Sequence, residues 1–412
     1  MNLRRNIIWT WLGQSVYLGC QLAILMVLAK LSTTVVVGQF SLALAITAPI
    51  VILSQMQFRQ SLVTDTQNRH SYSDYFWCRV FLTIAALAVI ICITFLYRFS
   101  SEMRLAILLT GLAKAFESLS DITHGSIQRH DRMDFIGISV IAKGILSLVL
   151  FSGLFWVSRS LIQALVGLVI SWAALFFIFD LPVSHWISKD NRILFSFKFS
   201  AMRDIFFLTL PLGLTIGLVS LSGNLPRYFL GKYWGKEAVA IFSVAAAPLN
   251  FIVIFSYSIY QAAMAKSAKY FQEKRLRDFE ILAAKVTGLI VFISIVFTVL
   301  FVIFGEKFIY LFFTKDYKAS ALPLVILSFS MIIGNSATFF LMILVAGRKF
   351  ALQLLHITIV AVTQILLCYC LVPRFGVMGA AWSEFIRNIL SFSVFAVFGF
   401  LILKKQAVNP VS

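Results

Sequence analysis

Several charged side chains lie inside long apolar stretches of this chain, where an ionised group is costly to bury. At the centre of a bilayer, a charge costs at least about 2.5 kcal/mol on insertion scales, so such residues usually pair with one another or bind a ligand. The cations among them could bind an anion, and the carboxylates could bind a proton or sodium ion. These residues are Lys114, Glu117, Asp121, Lys143, Arg227, Lys285, Glu384 and Arg387.

A stripe of small and polar residues runs along one face of the seventh apolar stretch. Gly213, Gly217, Ser220, Asn224 and Arg227 are spaced by four or three residues, which places them on one side of a helix. Such a face suits tight helix packing through the two glycines, with the arginine reaching the outer surface. It equally suits the wall of a cavity that carries an anion-binding arginine.

Two further stripes combine amides with tyrosines. Directional donors and acceptors beside a flat apolar ring suit sugar hydroxyls, and they suit hydrogen bonds between helices equally well. The stripes are Gln14, Tyr17 and Gln21 in the first apolar stretch, and Asn250, Tyr257 and Gln261 in the eighth.

Most of the buried carboxylates have a cation within two helical turns. Lys114, Glu117 and Asp121 are expected to neutralise one another, and Glu384 is expected to pair with Arg387. The alternative is that Glu117, Asp121 and Glu384 bind a coupling proton or sodium ion.

Lys143 and Lys285 have no acidic residue within a helical turn. If they face a cavity, they join Arg227 in making it basic. A basic cavity within the membrane suits a substrate that carries a diphosphate.

Length and composition indicate the elements that position these residues. The chain has 412 residues, of which 60% are hydrophobic and 13% charged, and its mean hydropathy is +0.92. About 20 helical residues cross a bilayer core about 30 Å thick, and lipid leaves the backbone no other hydrogen-bonded form for a single segment. We therefore predict an all-α polytopic membrane protein with about twelve spans. They lie near 7–29, 38–57, 79–97, 105–124, 135–157, 161–181, 205–230, 238–264, 282–304, 321–346, 351–372 and 377–403.

The distribution of Lys and Arg predicts the orientation of these spans. With the N-terminus inside, twenty of the 35 fall in cytoplasmic segments, ten in outer segments and five within spans. Both termini are thus expected in the cytoplasm, and the net charge of +18 reflects topology, not nucleic-acid binding. A polar linker near 182–204 divides the chain into two six-helix lobes, residues 1–190 and 191–412. Pro49 and Pro248, at similar places in the two halves, are candidate flex points.

Other function classes lack their sequence signals. No phosphate-binding GxxxxGK[ST] loop, His/Cys cluster or GxSxG motif occurs, so we expect no enzyme, no metal and no cofactor. The five cysteines are expected to be inert thiols. Secondary transport or lipid handling is left.

Five segments in both halves carry a resemblance to a known family. In order and spacing they are similar to Wzx-type polysaccharide flippases, of the superfamily that includes the MATE drug antiporters and lipid II flippases. The segments are VGQFSLALAITAPI (37–50), FRQSLVTDTQNRHSYSDYFWCRV (58–80), AFESLSDITHGSIQRHDRMDF (115–135), NLPRYFLGKYWGKEAVAIFS (224–243) and GVMGAAWSEFIRNIL (376–390).

This resemblance implies a MATE-like fold and a role in the bacterial cytoplasmic membrane. Such proteins move an undecaprenyl-diphosphate-linked oligosaccharide to the outer leaflet by alternating access of two lobes around a cationic cavity, often with ion coupling. Arg59, in FRQS, and Arg227, in LPRYFL, match basic positions of the family and are expected to contact the headgroup or sugar. The implied partners are this lipid-linked glycan, membrane lipid, and a glycan polymerase and chain-length regulator of the same pathway. A drug or cation antiporter, or a membrane polymerase or ligase, is the alternative.

Overall fold

The computed structural model describes residues 3–65, 69–188, 198–347 and 349–408, and these residues are almost entirely helical, with no β-strand. This confirms the all-α prediction. Helices suit a membrane because each one satisfies its backbone hydrogen bonds internally. Contacts divide the chain into two compact units, Met1–Asn224 (unit 1) and Leu225–Ser412 (unit 2).

Unit 1 is built from nine helices and one π-helical turn. The turn, Phe176–Asp180, continues α7 directly into α8. The helices are α1 (Leu3–Leu31), α2 (Thr34–Gln55), α3 (Phe58–Thr64), α4 (Tyr72–Leu96), α5 (Ser101–Arg129), α6 (Met133–Ser158), α7 (Leu161–Leu175), α8 (Leu181–Ser188) and the first part of α9 (Phe199–Tyr233).

Unit 2 contains two interrupted helices. Pro248 lies at the break between α10 and α11, which are bent by 45°, because proline lacks the N–H that would continue the helix. Gly376 takes a positive φ of 54° and kinks α15. The helices are the last part of α9, then α10 (Gly235–Ala246), α11 (Leu249–Gln272), α12 (Leu276–Phe312), α13 (Ala321–Ser336), α14 (Thr338–Ala346) and α15 (Phe350–Val408), with a 3₁₀ turn (Lys315–Ser320) between α12 and α13.

The helices are long and apolar enough for a multi-pass membrane protein. Among the described residues, nine meet the length and hydropathy of a span, or ten if α10 and α11 form one bent span. Ala351–Ile402 contains two of the predicted spans on either side of the Gly376 kink. The predicted span at 105–124 is helical within α5 but too polar to meet the same test. The count of twelve and the cytoplasmic termini stay predictions.

Two predicted boundaries differ from the structure. Helix α4 begins at Tyr72 instead of residue 79, because Ser71 and Asp74 form a capping box that satisfies the first N–H groups. The predicted linker at 182–204 is helical up to Ser188, and its residues 189–197 lie outside the described residues. By contacts, α9 up to Asn224 belongs to unit 1, while the division after residue 190 stays a prediction.

Candidate functional site

In unit 1, Asp121 on α5 is the meeting point of two arginines from other helices. Nη2 of Arg79 lies 2.9 Å from Oδ2, and Nη1 of Arg59 lies 3.4 Å from Oδ1. The predicted neutralisation of Asp121 by Lys114 is therefore wrong, since α3 and α4 supply its partners. Arg79, which the sequence placed in a cytoplasmic segment, is fully buried within α4, where its guanidinium also faces the Phe58 ring at 5.3 Å.

The backbone and one face of α5 fix the position of Arg59. Met56 and Gln57 both adopt left-handed conformations, which end α2 and start α3. Nε of Arg59 donates to Oε1 of Gln128 at 2.9 Å. A Cβ on Gly125 would lie 3.3 Å from Cγ of Arg59, so a larger residue there would press on this side chain. The Arg59 side chain stays 28% exposed, which leaves it reachable by a ligand.

The pairing of Lys114 with Glu117 is confirmed. Nζ of Lys114 lies 2.6 Å from Oε2 of Glu117, and the ammonium also lies 5.3 Å from the centre of the Trp172 ring. The hydroxyl of Tyr17 donates to Oε1 of Glu117 at 3.3 Å, which connects α1 to α5.

Sequence reasoning missed a second ionic cluster, around Asp180 at the end of the π-helical turn. Its Oδ1 accepts from Oγ of Ser139 at 2.5 Å and lies 3.1 Å from Nε2 of His124. Nζ of Lys143 lies 3.9 Å from Oδ2. All four side chains are buried. The sequence shows no acidic residue within a helical turn of Lys143, and the structure provides a partner from another helix. A substrate contact by Lys143 stays a prediction.

One signal for this cluster was present in the sequence. Asp180 and Lys143 are isolated ionisable residues in two different apolar stretches, and isolated charges in a membrane generally require a partner. Spacing along one helix could not show which stretches meet.

The α1 stripe is only partly accounted for by contacts within unit 1. Gln14 and Gln21 are half-buried, like Tyr17. Within the described residues, Nε2 of Gln21 is buried without a hydrogen-bond acceptor. Sugar binding by these residues stays a prediction.

In unit 2, Arg227 lies near the carboxylate of Glu384. Its Nε donates to Oγ of Ser243 at 3.0 Å, its guanidinium lies 5.4 Å from the Phe242 ring, and its charge interacts with that of Glu384. The predicted pair of Glu384 and Arg387 is confirmed, with Nη2 of Arg387 at 2.6 Å from Oε2. Gln364 on the first half of α15 donates to Oε1 of Glu384 at 3.1 Å.

The first half of the α9 stripe packs against α2, which agrees with the interpretation of this face as a helix-packing surface. A Cβ on Gly213 would collide with the side chain of Met56, and one on Gly217 would lie 2.8 Å from Cδ1 of Leu53. Further along, Nδ2 of Asn224 donates to the carbonyl oxygen of Ser220 at 2.9 Å. Packing thus explains the glycines, and a ligand contact by Asn224 stays a prediction.

The other predicted contacts of unit 2 are exposed. Asn250 and Tyr257 lie on the exposed face of α11, and Nε2 of Gln261 donates to the Tyr257 hydroxyl at 2.5 Å. Lys285 is exposed on α12, where Leu289 and other apolar residues share its face. Their roles in substrate binding stay predictions. Within the described part of the chain, no group of three or more His, Cys, Asp or Glu side chains could hold a metal ion.

Solved structures share this fold. An inward-facing multidrug resistance MATE family transporter of the MOP superfamily superposes with a TM-score of 0.78 at 15% identity, covering 98% of this chain and 100% of that chain. The lipid II flippase MurJ, in an inward closed conformation, gives 0.77 at 13% identity, covering 94% and 86%. This chain therefore shares the fold of these two proteins.

Sequence comparison defines the family. Residues 3–265 match the model of polysaccharide biosynthesis proteins, which is more than half of the chain, and residues 211–370 match that of MatE. The chain thus belongs to the polysaccharide biosynthesis protein family. The capsular polysaccharide biosynthesis protein CapF of Staphylococcus aureus is 29% identical over 374 residues, 90% of this chain and 93% of CapF. The protein is a multi-pass protein of the bacterial cytoplasmic membrane.

Proposed function

We propose that this protein is a flippase that moves an undecaprenyl-diphosphate-linked oligosaccharide across the cytoplasmic membrane. The observation that carries the proposal is a cationic excess beside a half-buried carboxylate in each unit. Asp121 lies between Arg59 and Arg79, and Glu384 lies near Arg227 and Arg387. The family and the resemblance to CapF support a glycan cargo.

Guanidinium groups suit this cargo because their planar donors match phosphate oxygens in pairs. Arg59 and Arg227 are both only partly buried, so an anionic headgroup can reach them. In this proposal, each arginine is a diphosphate contact of its own unit, amides and tyrosines such as Gln14 of unit 1 and Tyr257 of unit 2 contact the sugars, and the C55 tail stays in lipid. Glu117, Asp121 and Glu384 are each ion-paired, and coupling through an exchange of these partners belongs to the same proposal.

The test is the leaflet in which lipid-linked repeat units accumulate in a strain that lacks the protein. A membrane-impermeant glycan label should find complete single units on the cytoplasmic face only. Arg227→Ala should reproduce this accumulation while the protein is expressed at normal levels. The matched control is Arg275→Ala, since Arg275 lies outside the spans and pairs with Asp278 at 2.7 Å. Normal polymer levels in Arg227→Ala would remove that residue from the site.

A drug or cation antiporter is the second candidate, favoured by the MatE match over residues 211–370. An unchanged glycan pool in the deletion strain, together with retention of a cationic dye, would support it. Single units on the outer face would instead indicate a polymerase or ligase.

A further inference from the structure

The two arginines around Asp121 differ in their access to a ligand. Arg79 is fully buried, closer to the carboxylate, and bound by a second contact from Nη1 to Oγ of Ser118 at 3.3 Å. Arg59 is partly exposed and its contact with Asp121 is longer, 3.4 Å against 2.9 Å. Arg79 is therefore the principal counter-ion of the Asp121 carboxylate.

Arg59 keeps hydrogen-bond donors that can bind an anion. Nε of Arg59 is used by Gln128 and Nη1 by Asp121, but Nη2 has no hydrogen-bond partner within the described residues. Gln128, Gly125 and Asp121 follow one another on a single face of α5, so they hold the guanidinium in one orientation. An orientation fixed in advance lowers the entropy lost when a ligand binds.

We propose that Arg79 is a positioning residue whose charge cancels that of Asp121 and thereby keeps Arg59 available for the diphosphate of the substrate. This inference rests on the proposed function. Without Arg79, Asp121 would take Arg59 as its counter-ion, and its negative charge would also repel a diphosphate a few ångströms away. Arg79 thus sets the affinity for the headgroup without touching it.

A charge-restoring pair of substitutions tests the proposal. The full-length protein, in phosphatidylcholine nanodiscs, is titrated with undecaprenyl diphosphate and with undecaprenol, which lacks the charges. Arg79→Gln should weaken diphosphate binding by about tenfold or more, as loss of a close charge partner does in other complexes. Asp121→Asn should bind at least as tightly as wild type. Arg79→Gln with Asp121→Asn removes one charge of each sign, and should return to within about threefold of wild type.

A purely structural role of Arg79 predicts a different order. The double variant would then bind no better than Arg79→Gln, and Asp121→Asn would bind more weakly than wild type; either result overturns the inference. Arg79→Lys, which keeps the charge, should bind like wild type. If Arg79→Gln does not yield monodisperse protein, the comparison of Asp121→Asn and the double variant with wild type still decides the question.

The same titration separates this inference from the proposed function. If wild type does not prefer undecaprenyl diphosphate to undecaprenol, the proposed function fails. If wild type shows that preference and loses it in Arg59→Gln, but the double variant is not restored, the function stands and the role of Arg79 falls.

Discussion

Unit 1 and unit 2 hold their buried charges in different ways. In unit 1, Asp121 pairs with cations from α3 and α4, and Asp180 pairs with one from α6 and contacts His124 of α5, so each carboxylate links several helices. In the described part of unit 2, the least exposed ion pair joins Glu384 and Arg387, which are one turn apart on α15. The ionic contacts of Asp121 and Asp180 in unit 1 are therefore tertiary, whereas the Glu384–Arg387 pair of unit 2 is local.

Neutral groups make other cross-helix contacts of unit 2. Asn335 donates to Oγ of Ser294 at 2.8 Å, and Asn388 donates to Oγ of Ser330 at 2.7 Å. Bonds of this kind in membranes contribute on the order of 1 kcal/mol and find alternative partners readily. A buried ion that loses its partner has no such alternative. The difference suggests that the helices of unit 1 are fixed more firmly, while those of unit 2, with breaks at Pro248 and Gly376, adjust more easily.

The largest expected effect on stability comes from removing the carboxylate of Asp180. Asp180→Asn removes the carboxylate and leaves Lys143 charged and buried, so the free energy of unfolding should fall by about 3–5 kcal/mol. Denaturation of the purified protein in mixed micelles measures this change. The matched control is Asp204→Asn in the same unit, because Asp204 is exposed and its pair with Arg203 is long, 3.7 Å.

A second substitution separates lost charge from lost packing. Combining Asp180→Asn with Lys143→Met removes the unpaired charge, so at least half of the lost stability should return. Equal destabilisation by the single and the double variant would show that the cluster acts through shape and hydrogen bonds, and the contrast between the units would lose its electrostatic basis.

The corresponding substitution in unit 2 should cost less. In Glu384→Gln, the amide oxygen can still accept from Gln364, and Arg387 keeps Oδ1 of Asn388 at 3.0 Å. We therefore expect a loss of about 2 kcal/mol in the same denaturation experiment. Glu306→Gln, which breaks an exposed pair with Lys318, is the control and should change stability by less than about 0.5 kcal/mol. A loss at Glu384 as large as that at Asp180 would contradict the distinction between local and tertiary pairs.

The same distinction explains which parts of the site could be predicted from the sequence. The pairs Lys114–Glu117 and Glu384–Arg387 follow from spacing on one helix, and both were predicted. The partners of Asp121 and Lys143 come from other helices, and a spacing rule cannot show which helices meet. The helical class followed from hydropathy, but the capping box that starts α4 at Tyr72 lies before its apolar run. Hydropathy alone therefore assigns Arg79 to a cytoplasmic loop.

The smallest expected effect concerns the close packing of α9 against Met56, the residue at the end of α2. Gly213→Ala would place its Cβ 3.0 Å from Cα of Met56, whose left-handed conformation ends α2. Overpacking costs about 1–3 kcal/mol, and the better helix propensity of alanine returns about 1 kcal/mol, so we expect a net loss of about 1 kcal/mol. Gly223→Ala on the same helix is the control, since its Cβ would meet nothing within 4 Å and should leave stability equal or higher.

A further readout determines whether this packing supports the site or only the fold. Because a shift of Met56 moves the start of α3, Gly213→Ala should also weaken binding of undecaprenyl diphosphate by about threefold, in proportion to a disturbance of less than about 1 kcal/mol at Arg59. Gly223→Ala should bind like wild type. If Gly213→Ala loses stability but binds normally, the contacts of Arg59 with Gln128 and Asp121 hold it in place independently of α2. The ionic contacts of unit 1 would then be sufficient to position the anion-binding group.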